Sequence, residues 1–284
     1  MSLPSQLSAH GAARAELRGP YGPIAALRTT GPADAVALLV PGYTGSKEDF
    51  APLLDGLAAG GFETVAIDLP GQYESPGPED EFAYLPAALG KIVADVVTQL
   101  AGERPVVLLG HSYGGLVARC AVLAGAPVAG LTLMDSGPRH LPDGLRLNAL
   151  QIGEPLLREN GIVAAYDIRE SLSARFPGWV ALPAELKAFF RARFVTSSSV
   201  GLLGMAQGLR TEPDLVDELQ ELGLPCAVVA GEHDDAWSVP DQRDMARRLN
   251  ASFALIPGAA HSPNTENPAA LLDVLLATWR PWVS

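Results

Sequence analysis

The chain has 284 residues, 48% hydrophobic and 18% charged, too long for a small single-core scaffold and suited to one large α/β domain or a domain with an insertion. Its 32 acids against 20 Lys and Arg give a formal charge of −12, which argues against nucleic acid or an anionic membrane surface as a partner.

The first apolar run, Val36 to Val40, suits a strand buried on both faces. It stops at Pro41-Gly42. Ser46 then opens a predicted helix, with Asp49 three residues on as its capping-box partner, and Gly60-Gly61 closes it. Phe62 to Ile67 is the next strand, followed by Asp68-Leu69-Pro70-Gly71 and a loop to Glu81. Leu85, Leu89, Ile92, Val93, Val96 and Leu100 form a helical stripe. Val106–Leu109 is a strand, Leu116–Leu123 a helix, and Val128–Met134 another strand.

There the alternation stops. From Arg139 to Gly223 the pattern predicts helices (Leu145–Leu157, Ile162–Leu172, Glu185–Phe194, Leu202–Leu209) and no strand. It resumes with a strand at Cys226–Ala230, a helix at Gln242–Leu249 and a strand at Phe253–Ile256. Asn267-Pro268 is a strong helix start, and that helix is expected to reach Trp279. Strands alternating with helices predict a mostly parallel sheet with helices on both faces. Both ends of the insertion return to that sheet, so residues 139–223 read as a lid on a core made of 1–138 and 224–284.

The strongest chemical signal is Gly110-His111-Ser112-Tyr113-Gly114, a G-x-S-x-G between a strand and a helix. Such a turn strains its central residue and exposes the Ser112 hydroxyl beside a helix N-terminus. A serine needs a base, and the base needs an orienting acid. Two later strands supply both: Cys226–Ala230 runs into Gly231-Glu232-His233-Asp234-Asp235, and Phe253–Ile256 into Pro257-Gly258-Ala259-Ala260-His261. Consecutive residues in extended chain point to opposite sides, so only one of Asp234 and Asp235 should face His261.

With these segments the chain resembles an α/β-hydrolase with a helical cap. PGYTGSKEDF, DLPGQYES, GHSYGGLVAR, GEHDDAW and IPGAAHSPNTENP are similar to a bacterial branch of capped serine hydrolases. The resemblance implies a mostly parallel sheet with the cap inserted after the sixth core strand. It implies Ser112 as nucleophile, His261 as base and, counting three residues from Gly231, Asp234 as acid. It also implies an oxyanion hole from the backbone N–H groups of Tyr43 and Tyr113. Pro41 stands where the family usually has His, and Gln72 near another customary His; both alter the pocket and not the triad.

Trp237 and Thr44 are the pocket candidates. Asp235 is expected in a turn or as a helix cap. The cap aromatics Tyr166, Phe176, Trp179, Phe189, Phe190 and Phe194 are each expected in cap core, with lining of a substrate site as the alternative. No histidine pair has metal-ligand spacing and no G-x-G-x-x-G follows the first strand, so neither metal nor cofactor is expected. The expected activity is cleavage of a carboxylic ester or related small acyl compound. The alternatives are a triad-dependent lyase, C–C bond hydrolase or perhydrolase, or a ligand-binding protein without turnover. Only Cys120 and Cys226 are cysteines, no apolar run reaches membrane length, and the N-terminus lacks a basic start followed by an apolar stretch. A cytoplasmic location, with neither membrane nor nucleic acid as partner, is expected.

Overall fold

The computed structural model describes residues 4–102 and 104–284; residues 1–3, where the segment read for a leader begins, lie outside the described residues. In chain order the elements are β1 (Ala13–Leu17), β2 (Ile24–Arg28), β3 (Ala35–Val40), α1 (Leu54–Ala59), β4 (Phe62–Ile67), α2 (Pro86–Ala101), β5 (Val106–His111), α3 (Tyr113–Leu123) and β6 (Gly130–Met134). The insertion holds α4 (Leu145–Ser173), α5 (Pro177–Val180), α6 (Ala184–Thr196), α7 (Ser199–Thr211) and α8 (Val216–Glu221). The chain closes with β7 (Cys226–Gly231), α9 (Val239–Arg248), β8 (Ser252–Ile256), α10 (Pro263–Glu266) and α11 (Pro268–Val283).

The eight strands form one sheet in the order β1-β2-β4-β3-β5-β6-β7-β8. Pairing is parallel from β4 through β8 and antiparallel only at β1–β2 and β2–β4. The period of two in β3 decides which helices cover which face. Val36, Leu38 and Val40 pack toward α2, α3, α8 and α9. Ala35, Ala37 and Leu39 pack toward α1 and α11. All six β3 residues are buried, which explains its unbroken apolar run.

Two strands go beyond those predicted. The hairpin β1–β2 lies at one edge, where β1 is half exposed and short. The helix expected from Ser46 begins as a 3₁₀ segment, Lys47–Leu53, before α1. Asp49 Oδ2 accepts from the Ser46 backbone N–H (3.1 Å), as the capping box requires. The Asn267 side chain caps α11, which continues past Trp279 to Val283.

The helical insertion follows β6, the sixth strand. The two helices expected at Leu145–Leu157 and Ile162–Leu172 are one element bent at Gly161, whose φ of 79° interrupts the helix. Only Leu157 and Tyr166 of α4 are buried, whereas α7 buries most of its length. Helix α8 lies within the segment read as lid, yet its Val216 and Leu219 belong to the main core. No helix among the described residues is long and apolar enough to cross a membrane.

Candidate active site

Parallel strands β5, β6, β7 and β8 deliver their carboxyl ends to one rim of the sheet, where ligands bind in open α/β folds. After β5, Ser112 adopts φ 55° and ψ −120°, a conformation that only glycine holds without strain. The chain then enters α3 at once. This sharp turn needs glycine on both sides. A Cβ on Gly110 would strike the Gly114 carbonyl, and one on Gly114 would strike the carbonyls of Val40 and Pro41.

Ser112 Oγ–H donates to His261 Nε2 (2.9 Å), and His261 Nδ1–H donates to Asp234 Oδ1 (2.7 Å). The loops after β5, β7 and β8 thus meet across the rim. Asp234 Oδ1 also accepts from Ala236 N–H (2.9 Å) and Oδ2 from Gln242 Nε2 (2.7 Å). Burial alone would raise the Asp234 carboxyl, but the bond from His261 and these donors outweigh it and hold it below the usual range. His111 sits behind the pair and donates Nε2–H to the His261 carbonyl (2.7 Å). Burial, then the neighbouring His261, push the His111 pKa down to about 4, so its ring is neutral at physiological pH.

Asp235 points away from His261. It pairs with Arg146 of the cap (2.5 Å), largely in solvent. It does not cap the next helix; Ser238 does, accepting from Asp241 N–H (3.1 Å). Trp237, expected to line the pocket, is buried behind the rim instead. Its ring covers Gly137, and its indole N–H donates to the Arg139 and His140 carbonyls. Backbone direction after the β7 turn carries it inward, although it is only three residues from Asp234.

Asp135 was not singled out by the sequence pattern. This residue directly follows β6 with φ 45°, is fully buried, and accepts from Gly231 N–H at Oδ1 (2.7 Å). Its Oδ2 has no hydrogen-bond partner among the described residues, and its carboxyl lies within 4.8 Å of Asp234 and His261. Three ligand-type side chains gather here, but the pairing of Asp234 with His261 already accounts for two of them. Burial, then the Asp234 charge, raise the Asp135 pKa well above its ordinary value, so it holds its proton to higher pH than a free carboxyl. The only advance signal was an Asp at the carboxyl end of a parallel strand.

That proton has a consequence for stability. The unfolded chain releases it near pH ~3.9, whereas the folded protein keeps it to much higher pH. This group therefore favours the fold most below the unfolded value, and its contribution falls as pH rises toward the folded value. Asp135→Asn keeps an acceptor for Gly231 but has nothing to ionise. It should melt above the parent near about pH 8, with the gap closing toward about pH 4. Equal melting temperatures across that range would refute the protonated assignment.

The turn after β3 supplies the facing wall. A Cβ on Gly42 would come within 3.0 Å of Ser112 Cβ, so this turn lies directly over the serine. Gln72 braces it: Nε2 donates to the Gly42 carbonyl (2.8 Å) and Oε1 accepts from Leu69 N–H (3.1 Å). The turn after Pro41 is thus held from another loop. Among the described residues, no acceptor is found for the backbone N–H of Tyr43 or of Tyr113.

Above the serine lies a cavity of about 900 Å³, roofed by α4, α6 and α7. Ser112, His261, Tyr43 and Thr44 line its floor. Four cap aromatics expected in cap core, Phe176, Trp179, Phe190 and Phe194, line the cavity as well. Phe189 packs edge-on against Tyr73, and Tyr166 is buried against Phe194.

Residues 37–274 match the model of a family described as "Alpha/beta hydrolase family". Protein ABHD8 of Mus musculus is 38% identical over 265 residues, which are 88% of this chain and 56% of that one. The chain thus spans about half the length of that relative. A 2-succinyl-6-hydroxy-2,4-cyclohexadiene-1-carboxylate synthase of Serratia proteamaculans (strain 568) is 26% identical, covering 73% of this chain and 79% of its own. Among solved structures, a thermophilic esterase from Thermogutta terrifontis, described as malate bound, superposes with a TM-score of 0.76 at 25% identity, covering 96% of this chain and 100% of that one.

Proposed function

The chain belongs to the alpha/beta hydrolase family, and we propose that it cleaves a carboxylic ester or related small acyl compound through Ser112, His261 and Asp234. The observation that carries this reading is the continuous hydrogen-bonded relay from Ser112 through His261 to Asp234, opening into a roofed cavity. In this mechanism Ser112 Oγ attacks the substrate carbonyl carbon while its proton passes to His261 Nε2. The ionised Asp234 stabilises the imidazolium so formed. The tetrahedral oxygen takes its negative charge between the N–H groups of Tyr43 and Tyr113, the two donors with no acceptor of their own. Collapse breaks the ester C–O bond, and His261 returns the proton to the departing alcohol. Water, deprotonated by His261, then releases the acid and restores Ser112.

The insertion serves as the lid that shapes this cavity, and Thr44 borders the acyl group. Cytoplasmic residence is part of the same proposal, supported by the free, buried thiols Cys120 and Cys226. The likeness to a synthase favours a second reading, in which the same residues move a proton without acylating Ser112. A fluorophosphonate probe mapped by mass spectrometry, together with trapping of the acyl-enzyme from an activated ester, separates the two. Label and acyl adduct on Ser112 support hydrolysis. Labelling without any acyl adduct favours proton transfer, and no labelling at Ser112 overturns both.

A further inference from the structure

The charged groups lining the cavity are almost all paired. Arg193 donates to Asp49 (2.6 Å), and Arg146 to Asp235. Glu154 holds both Arg158 and Arg210. Arg169, on α4 beyond the Gly161 bend, is different. It lines the cavity, and among the described residues it has neither a carboxylate within ion-pair distance nor a hydrogen-bond acceptor. In a chain of net charge −12, acids are plentiful, yet none reaches this guanidinium.

Its surroundings sharpen the point. Arg169 lies over the Phe194 ring, 5.4 Å from the centroid. Stacking uses the flat face of a guanidinium and leaves its N–H edge for a planar acceptor. Arg169 is exposed along the cavity wall, so its guanidinium is open to a ligand entering from solvent. Tyr43, on the turn over Ser112, lines the same cavity. The wall shared with Tyr43 and Phe194 is apolar, made by Leu157, Leu202 and Leu203. An unpaired cation at the end of an apolar wall is complementary to an anion at the end of an apolar chain.

We infer that Arg169 is the anchor of an anion subsite in this cavity, and that the preferred substrate is an ester carrying a free carboxylate at the end of an apolar segment. This rests on the hydrolase reading above and narrows its substrate class. A carboxylate fits better than a phosphate. A single unpaired guanidinium offers one bidentate fork and one positive charge, which balance a monoanion and leave a phosphate dianion half compensated. Arg193, already neutralised by Asp49, adds little to that balance.

The test compares two near-isosteric activated esters, mono-4-nitrophenyl adipate and its neutral methyl ester, with a phosphate-ended ester as third arm. The parent protein should prefer the carboxylate by about ten- to a hundredfold in kcat/KM, the range of a charged hydrogen bond. Arg169→Gln should collapse that ratio through KM, and Arg169→Lys should restore it in part, keeping the charge without the fork. A parent ratio at or below unity, a ratio untouched by Arg169→Gln, or a stronger preference for the phosphate-ended ester overturns the assignment. A binding measurement keeps the test independent of turnover. Monomethyl adipate is titrated into Ser112→Ala protein with and without Arg169→Gln. Binding at least about tenfold weaker without the guanidinium supports the subsite even if neither ester is cleaved, in which case the hydrolase reading alone fails. Equal binding overturns the subsite whatever the ester kinetics show.

Discussion

Ester turnover is expected to fall about a millionfold in Ser112→Ala, the scale seen when the nucleophile of such a relay is removed. The reason is geometric. His261 Nε2 is 2.9 Å from Ser112 Oγ and has no other hydrogen-bonding side chain to activate. Without that oxygen the cavity still binds substrate, and the oxyanion donors proposed at Tyr43 and Tyr113 remain. Those contacts alone retain only a small part of the acceleration. The substitution removes one hydroxyl from a site already open to the cavity, so the fold should persist. Steady-state hydrolysis of an activated ester, with thermal melting as the control, checks both halves. Near-native turnover in a folded variant means another group is the nucleophile.

The second large effect separates two neighbouring carboxylates. Asp234→Asn should lower kcat about ten-thousandfold. An amide placed here can turn its NH₂ toward His261 and force the imidazole proton onto Nε2, the atom that must accept from Ser112. It also loses the charge that stabilises the imidazolium. Gln242 and the Ala236 N–H, which now donate to an ionised carboxylate, would face a weaker acceptor. Asp235→Asn removes only a solvent-screened pair with Arg146, worth at most about 1 kcal/mol, and should keep its activity. Kinetics and melting curves of the two variants side by side decide the matter. An inactive Asp235→Asn with an active Asp234→Asn would transfer the role.

The inner strands were readable because burial on both faces writes itself as an unbroken apolar run, as in Val36–Val40. The serine turn was readable because its glycines are demanded by backbone contact and cannot drift. The hairpin β1–β2 was harder to see: its edge strand is short and half exposed, and AELRGPYGPIAALR lacks such a run. Asp135 was hidden for another reason. A carboxyl acts there through its approach to Asp234, across nearly a hundred residues of chain, and a lone Asp after a strand carries no spacing signal. Trp237 shows the opposite error, since nearness to Asp234 in sequence says nothing about the direction of its ring. Arg169 looks in sequence like one more charge on the wet side of an amphipathic helix. What distinguishes it is a place in the cavity wall without a carboxylate partner, and that is visible only once the chain is folded.

The backbone at Ser112 puts function and robustness in opposition. At φ 55° and ψ −120° any side chain carries a strain of about 1–3 kcal/mol, and alanine carries it as serine does. Glycine alone is relieved of it. Ser112→Gly should therefore be inert toward esters and yet melt at a higher temperature than Ser112→Ala. For a population of variants sorted only for thermal endurance, the nucleophile is then among the first residues to go, so a screen for hardier forms of this protein has to demand turnover in every round.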